Sequence, residues 1–282
     1  MRKTLAASLL FILFLVLVGL SFLLVNRPAG RDVRLGPSSR PAAELPGAPA
    51  GRPPKAEPAA PGRAQALAAV IVDDFGNNLD AARALCALGH PVTAAILPYA
   101  SKTRETAGLA AGCGVEIMLH LPLEALVPRE NSTGRIGSGM SANEVRARVA
   151  ACLDQVPGCR GVNNHEGSRT TEDAVLMPEI LAVLKERGLY FIDSLTTRDS
   201  IAYDTARRMG VPAAVRRVFL DGDPSDQGIR RKLVELFRAA RTHGRAVGIC
   251  HARRETLDAL SRYLSLAADY GVKLVPASGI VE

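Results

Sequence analysis

Apolar and β-branched residues recur along this chain in short runs: Ala68 to Val72, Val92 to Leu97, Val115 to Leu119, around Gly161 to Asn163, Leu189 to Ile192, Val215 to Leu220, Ala246 to Cys250, and Val272 to Val275. Runs of this length, bounded by Gly, Pro, Asn and Asp, predict strands. Amphipathic stretches between them predict helices over Asn78 to Leu88, Ser101 to Ala111, Ser141 to Gln155, Thr171 to Arg187, Ser200 to Met209, Ile229 to Thr242, and Glu255 to Tyr270. Ser141 with Glu144 three positions on is a capping-box pattern and marks one helix start. Strand followed by helix, repeated about seven times, implies parallel strands with helices outside. A closed barrel and an open doubly wound sheet both satisfy that alternation.

The polar residues separate the two. Asp73 and Asp74 follow the first apolar run, His120 the third, His165 the fourth, Asp193 the fifth and His251 the seventh. In a barrel those strand ends converge on one mouth. In an open sheet the first and seventh strands could lie far apart, so a distorted (β/α) barrel of about seven parallel strands is the economical reading.

Ahead of this domain the pattern changes. Met1-Arg2-Lys3 precedes an apolar run from Leu5 to Val25, long enough at about 1.5 Å per residue to span a bilayer core of roughly 30 Å. The run ends at Val25-Asn26-Arg27-Pro28, which offers no small-x-small cleavage site. An uncleaved anchor over residues 1–25 in the inner (cytoplasmic) membrane is therefore expected, with a cleaved signal and a free periplasmic form as the alternative. Arg2 and Lys3 favour an inside N-terminus and a domain in the periplasm. Residues 26–66 carry Pro and Gly among Ala and Arg without apolar periodicity, which predicts a disordered tether. Residues 67–282 form the one globular domain.

Charge follows the same division. The net charge is +7, yet nine of the 35 Lys and Arg lie in the first 66 residues against three of the 28 Asp and Glu. The domain is left near neutral, without a dense basic run and with few aromatics, so a nucleic-acid partner is excluded. Five cysteines cannot all pair within one chain, and none stands in a C-x-x-C spacing, which disfavours cysteine-based zinc binding. Cys152 and Cys159 could be bridged in an oxidising compartment; small buried hydrophobes on helix and strand faces is the preferred reading of the cysteines.

The candidate chemistry lies at the strand ends. Val-Asp-Asp-Phe-Gly at 72–76 sets two adjacent carboxylates where a buried strand stops, one able to bind a metal while the other stays free as a base. His120 has Glu124 four positions on, and His with a carboxylate suits a divalent ion such as zinc. Gly161 to Arg169 is a polar cluster around His165, and Ile249-Cys250-His251 repeats the strand-then-histidine pattern. Three of the five histidines at strand ends point to a site more than to packing.

Taken in order, Val-Asp-Asp-Phe-Gly-Asn-Asn, Ala-Ile-Leu-Pro-Tyr-Ala, Met-Leu-His-Leu-Pro-Leu-Glu, Gly-Val-Asn-Asn-His-Glu-Gly-Ser-Arg, Phe-Ile-Asp-Ser, Val-Phe-Leu-Asp and Leu-Val-Pro-Ala-Ser resemble the divergent polysaccharide deacetylase family from Ala68 to Ser278. The resemblance implies a distorted β/α barrel in which a metal-activated water removes an acyl group, N-acetyl or similar, from a glycan. It implies Asp73 as base, Asp74 and His120 as metal ligands and His251 as acid. Mainstream deacetylases place a second histidine four residues after the first. Here Glu124 stands there, so the third ligand is Glu124 or, preferred, His165 from the next strand. Asp193 is expected to orient His251 or to bind a sugar hydroxyl, and Asn163, Asn164 and Arg169 are candidate substrate contacts. Glu166 and Cys250 depart from the family's usual Met and Gly. The alternative is a non-catalytic envelope protein that keeps the barrel and binds a glycan or a partner.

Overall fold

The computed structural model describes residues 65–127 and 133–282. The expected anchor and the tether up to residue 64 lie outside the described residues. Among the described residues no helix is long and apolar enough to cross a membrane.

Strands β1 (Ala66–Phe75), β2 (Thr93–Ile96), β3 (Glu116–Leu123), β4 (Gly161–Glu166), β5 (Tyr190–Asp193), β6 (Ala213–Phe219) and β7 (Arg245–His251) pair in chain order, all parallel. The ring closes through β1, which pairs with β7 from Leu67–Arg245 to Asp73–His251 and with β2 from Ile71–Thr93 to Phe75–Ile96. The first residues of β1 pair instead with β8 (Val272–Leu274), which fills the gap below β2. The barrel therefore has seven closing strands and an eighth appended at its N-terminal rim. Two strands run further than the apolar runs suggest: β3 carries His120 in its interior, and β4 carries His165.

Helices α1 (Leu79–Cys86), α2 (Thr103–Gly112), α3 (Ala142–Gln155), α4 (Leu176–Glu186), α5 (Ala202–Met209), α6 (Asp226–His243), α7 (Arg254–Tyr263) and α8 (Leu266–Asp269) connect the strands. Local signals set their starts. Ser141 and Glu144 form the expected reciprocal capping box of α3, Asn78 caps α1 through Asp80 N–H at 2.9 Å, and Asp173 accepts from Leu176 N–H at 2.9 Å at the start of α4. Thr170–Glu172 form a separate 3-10 turn, and α4 begins only after the turn at Asp173. The stretch expected as one helix from Glu255 to Tyr270 is two, α7 and α8, separated by Leu264 and Ser265.

Alternation along the strands sorts the core into two layers. Ala69, Ile71, Ala95, Met118, Tyr190, Ile192, Val247 and Ile249 fill the barrel interior, with Ala277 and Ile280 from the C-terminal turn. Val70, Val72, Leu119, Val162 and Phe191 face outward into the layer beneath the helices. Burying side chains such as Ile71 and Met118 stabilises by roughly 1.5–3 kcal/mol each. Cys86 at the end of α1 and Cys113 just past α2 form a disulfide. Cys152, Cys159 and Cys250 are free, so the bridge considered for the first two of these is absent and a different pair is joined.

Candidate active site

The inward parity of the interior residues continues to the barrel mouth. Asp73 follows Ile71, His120 follows Met118 and His251 follows Ile249, each two positions further along its strand, and Ser194 follows Ile192 just past the end of β5. Asp74 would face outward on a regular strand. The β1–β2 register shifts between Val72 and Phe75, and Asp74 takes a left-handed φ of 66°, a conformation that Asp tolerates better than most residues. That local turn brings both carboxylates to the mouth. Gly76 follows with φ 125°, and a Cβ there would stand 2.8 Å from Ala100 Cβ, so the exit of β1 depends on glycine.

Three ligand atoms meet above the barrel. His120 Nε2 lies 3.3 Å from Asp74 Oδ1, His165 Nδ1 lies 3.2 Å from the same oxygen, and the two ring nitrogens are 3.0 Å apart. Asp74 Oδ1 is buried and, among the described residues, has no partner in hydrogen-bond geometry. An orphaned buried carboxylate oxygen facing two imidazole nitrogens is costly unless a cation sits among them. Tetrahedral bonds of about 2.0–2.1 Å would set ligand atoms about 3.3–3.4 Å apart, close to the observed triangle. The residues thus fit a divalent ion, with Asp74, His120 and His165 as the donor set. Glu124 is not part of it: its carboxylate accepts from Ser138 N–H at 2.6 Å and Ser138 Oγ at 2.7 Å.

Asn163, fully buried, ties the set together. Its Oδ1 lies 2.8 Å from His120 Nδ1, and its Nδ2 donates to Asp73 Oδ1 at 2.9 Å and to Ser194 Oγ at 3.3 Å. With Nδ1–H given to Asn163, His120 turns Nε2 to the mouth, where a bound cation would take its lone pair in place of a proton. Asn163 is thus bonded to its neighbours and, unlike the expected substrate contact, does not line the cleft. Burial raises the pKa of Asp73 beyond what His120 and Asn163 lower it. Burial would depress His120, but the Asp73 and Asp74 carboxylates outweigh it and push the imidazole up to about 9. Asp74, although desolvated, is held well below the usual carboxylate range by His120 and His165.

His251 stands across the mouth, its Nε2 4.0 Å from Asp74 Oδ2. Its Nδ1 is 3.1 Å from both oxygens of Asp221, which also accepts its backbone N–H at 2.9 Å. Burial lowers the His251 pKa, and the Asp221 hydrogen bond and charge more than reverse this, leaving it raised. The residue that orients His251 is thus Asp221 and not Asp193. Asp193 has the outward parity of Phe191; its carboxylate accepts from Leu195 N–H at 2.8 Å and Ser200 Oγ at 2.7 Å, below α5. Asp221 belongs to the Val-Phe-Leu-Asp series, and its place one residue past an outward Leu220 was the signal available.

Around these groups lies a cleft of about 600 Å³, walled by Leu126, Val127, Asn164, Glu166, Arg216 and Phe219 among others. Asn164 reaches it, with Nδ2 on Glu166 O at 2.7 Å and Oδ1 on Ser194 N–H at 2.8 Å. Arg169 does not line it and pairs with Glu124 at 3.6 Å.

A family profile described as divergent polysaccharide deacetylase matches residues 70–281, the barrel from within β1 onward with every residue of the mouth. The chain belongs to the divergent polysaccharide deacetylase family. The resemblance read from its motifs is thus family membership. It is 33% identical to an uncharacterized protein of Haemophilus influenzae over 197 residues, 70% of each chain. Among solved structures, an uncharacterized protein from Agrobacterium tumefaciens C58 matches with a TM-score of 0.73 and 24% identity, over 77% of this chain and 90% of that one. A peptidoglycan N-acetylglucosamine deacetylase, solved with a hydroxamate-type benzamide, matches at 12% identity with a TM-score of 0.50, over 77% of this chain and 88% of that one. At these identities the two structures attest the shared fold. Within the divergent deacetylase barrel, Glu166 with φ 54° and Leu195 with φ 49° join Asp74 as left-handed non-glycine residues at strand exits, a clustering of backbone strain that marks functional rims. Gly167, at φ 88°, packs so closely on Leu123 that a Cβ would stand 2.7 Å from Leu123 Cβ.

Proposed function

We propose that this chain is a metal-dependent N-deacetylase of an envelope glycan. The observation that carries the reading is the triangle of Asp74 Oδ1, His120 Nε2 and His165 Nδ1 around an unsatisfied buried oxygen, with a separate carboxylate and a separate imidazole at its edge. When bound there, a divalent ion, zinc by the nitrogen and oxygen donors, supplies polarisation of the acyl oxygen and acidification of water. Asp73 takes the proton as the water oxygen bonds to the acyl carbon, its raised pKa making it a stronger base than an ordinary carboxylate. Asn163 holds Asp73 and His120 at fixed separation through this step. His251, whose protonated form Asp221 favours, gives a proton to the amine as the carbon–nitrogen bond breaks. The products are acetate and a free amino sugar.

For location, the proposal is a single-pass inner-membrane protein with its barrel in the periplasm. The Cys86–Cys113 disulfide supports an oxidising compartment, as the apolar run of residues 5–25 supports an anchor. Protease added to spheroplasts should remove the barrel, whereas protection of the barrel would reverse the orientation. The test of the chemistry is acetate release from N-acetylglucosamine oligomers by the detergent-solubilised full chain, before and after chelation and zinc return. Release that is lost on chelation and regained with zinc is expected. A metal-loaded chain that releases no acetate across neutral and acidic oligomers would refute the enzyme reading.

A further inference from the structure

One wall of the cleft takes no part in the chemistry above. Arg216 of β6 continues the inward parity of Ala214, and its guanidinium lies 5.1 Å from the centroid of the Phe219 ring. Phe219, 38% exposed, meets the His251 ring edge-on at 5.4 Å. Arg253 follows His251 by two residues, is exposed, and lines the same cleft. The order along the wall is therefore cation, aromatic ring, proton donor, cation.

Arg216 is half-buried, and its Nε and Nη2 donate to the carbonyls of Ser194 and Leu195 at 2.6 and 2.8 Å. Among the described residues neither Arg216 nor Arg253 has a carboxylate within ion-pair distance, although most of the other ion pairs of the barrel involve arginine. The half-buried guanidinium is hydrogen-bonded to neutral carbonyls; burial pulls its pKa below the ordinary arginine value and outweighs Asp193 and Asp73, which act on it from beyond ion-pair distance. Asp73 and Asp74 are balanced by a divalent ion when one is bound. Among the described residues that line the cleft, the charged groups then left besides His251 are Arg216 and Arg253 against Glu166. A cleft meant for a neutral sugar has no use for that surplus.

Resting on the deacetylase reading, we propose that the cleft selects a glycan bearing a carboxylate, with Phe219 as the platform for the sugar ring and Arg216 and Arg253 as the residues that take the carboxylate. His251 faces the leaving amine, so the wall beside it flanks the sugar that carries the acetamide and the next sugar along the strand. A guanidinium accepts a carboxylate through two parallel N–H donors, a geometry that a neutral hydroxyl cannot reproduce. An exposed aromatic ring gives the apolar face of a pyranose a contact without fixing its charge.

The test uses calorimetric binding to the zinc-loaded full chain of three tetramers: N-acetylglucosamine alone, the tetramer whose alternate sugars carry a 3-O-lactyl carboxylate, and the methyl ester of that tetramer. The acid should bind about tenfold or more tightly than its ester, as expected for a charge-assisted pair, with the margin shrinking as salt rises. Arg253→Gln and Arg216→Gln should each bring the acid toward the ester while leaving the ester unchanged. Arg216 also ties down the exit of β5, so Arg253→Gln, whose side chain holds no hydrogen bond or ion pair among the described residues, keeps the test sound if Arg216→Gln misfolds. Equal affinity for acid and ester, no binding of the acid at millimolar concentration, or a margin that survives Arg253→Gln would overturn the proposal. Acetate release on the same samples separates the two readings. Release without acid preference sinks only the specificity, and acid preference without release sinks only the chemistry.

Discussion

Replacing Asp221 with Asn tests the acid half of the mechanism without touching the ion site. The Asp221 side chain is fully buried and holds His251 through both oxygens at 3.1 Å, with Thr256 Oγ1 donating to it at 3.2 Å. An amide of the same shape can still fill the space, but it no longer offers a charge to an imidazolium. A hydrogen bond to a charged group contributes about 1.5–3 kcal/mol. Its loss lowers the His251 pKa by that free energy, so at pH above the wild-type pKa the protonated fraction, and kcat with it, falls by up to about 10- to 150-fold. The sign of the pH effect follows from the raised His251 pKa. An acid works only while protonated, so kcat falls as pH rises through that pKa, and removing Asp221 lowers the pKa and moves the alkaline limb to lower pH. The assay is acetate release from N-acetylglucosamine oligomers across pH, with metal content measured on each sample. The penalty should shrink for an aryl acetate, whose leaving group needs little protonation. Unchanged kcat together with an unmoved alkaline limb, at full metal content, would refute the role of the pair.

Asp74→Ala, His120→Ala and His165→Ala should each lose the bound ion in dialysed protein measured by plasma spectrometry, whereas Glu124→Gln should keep it because Ser138 already holds that carboxylate; equal metal in all four would remove the site as drawn. Asp73→Asn should retain metal and lose acetate release by about 100- to 10,000-fold, the range that a general base contributes; retention of wild-type turnover would show that another group takes the proton. Cys86→Ser should lower stability by about 3–4 kcal/mol, from the chain entropy of a loop of 27 residues, read as a lower thermal midpoint for the variant than for the wild type without reductant and as no difference with it.

Periodicity alone determined the element types. Eight apolar runs became eight strands, and the histidines and aspartates that close them made a barrel the economical choice because only there do the first and seventh strands adjoin. The order of the motifs determined the family, since their spacing is set by the strand–helix repeat that carries them. What the sequence left open concerns direction and company. Strand alternation sends Asp193 outward with Phe191 and Asn163 inward beside His120, and a reading that marks polar residues only as strand-terminal treats the two alike. The pairing of Asp221 with His251 joins residues 30 positions apart across β6 and β7, and the Cys86–Cys113 bond depends on where two neighbouring helices end. His165 and Glu124 are likewise told apart only by their positions in space. One residue sits on the strand beside His120, and the other, although closer in the chain, has turned past the rim to Ser138. A chain's local pattern fixes which face a side chain takes relative to its neighbours, but which side chains from different strands share one mouth is set by register and closure, and those exist only once the barrel is formed.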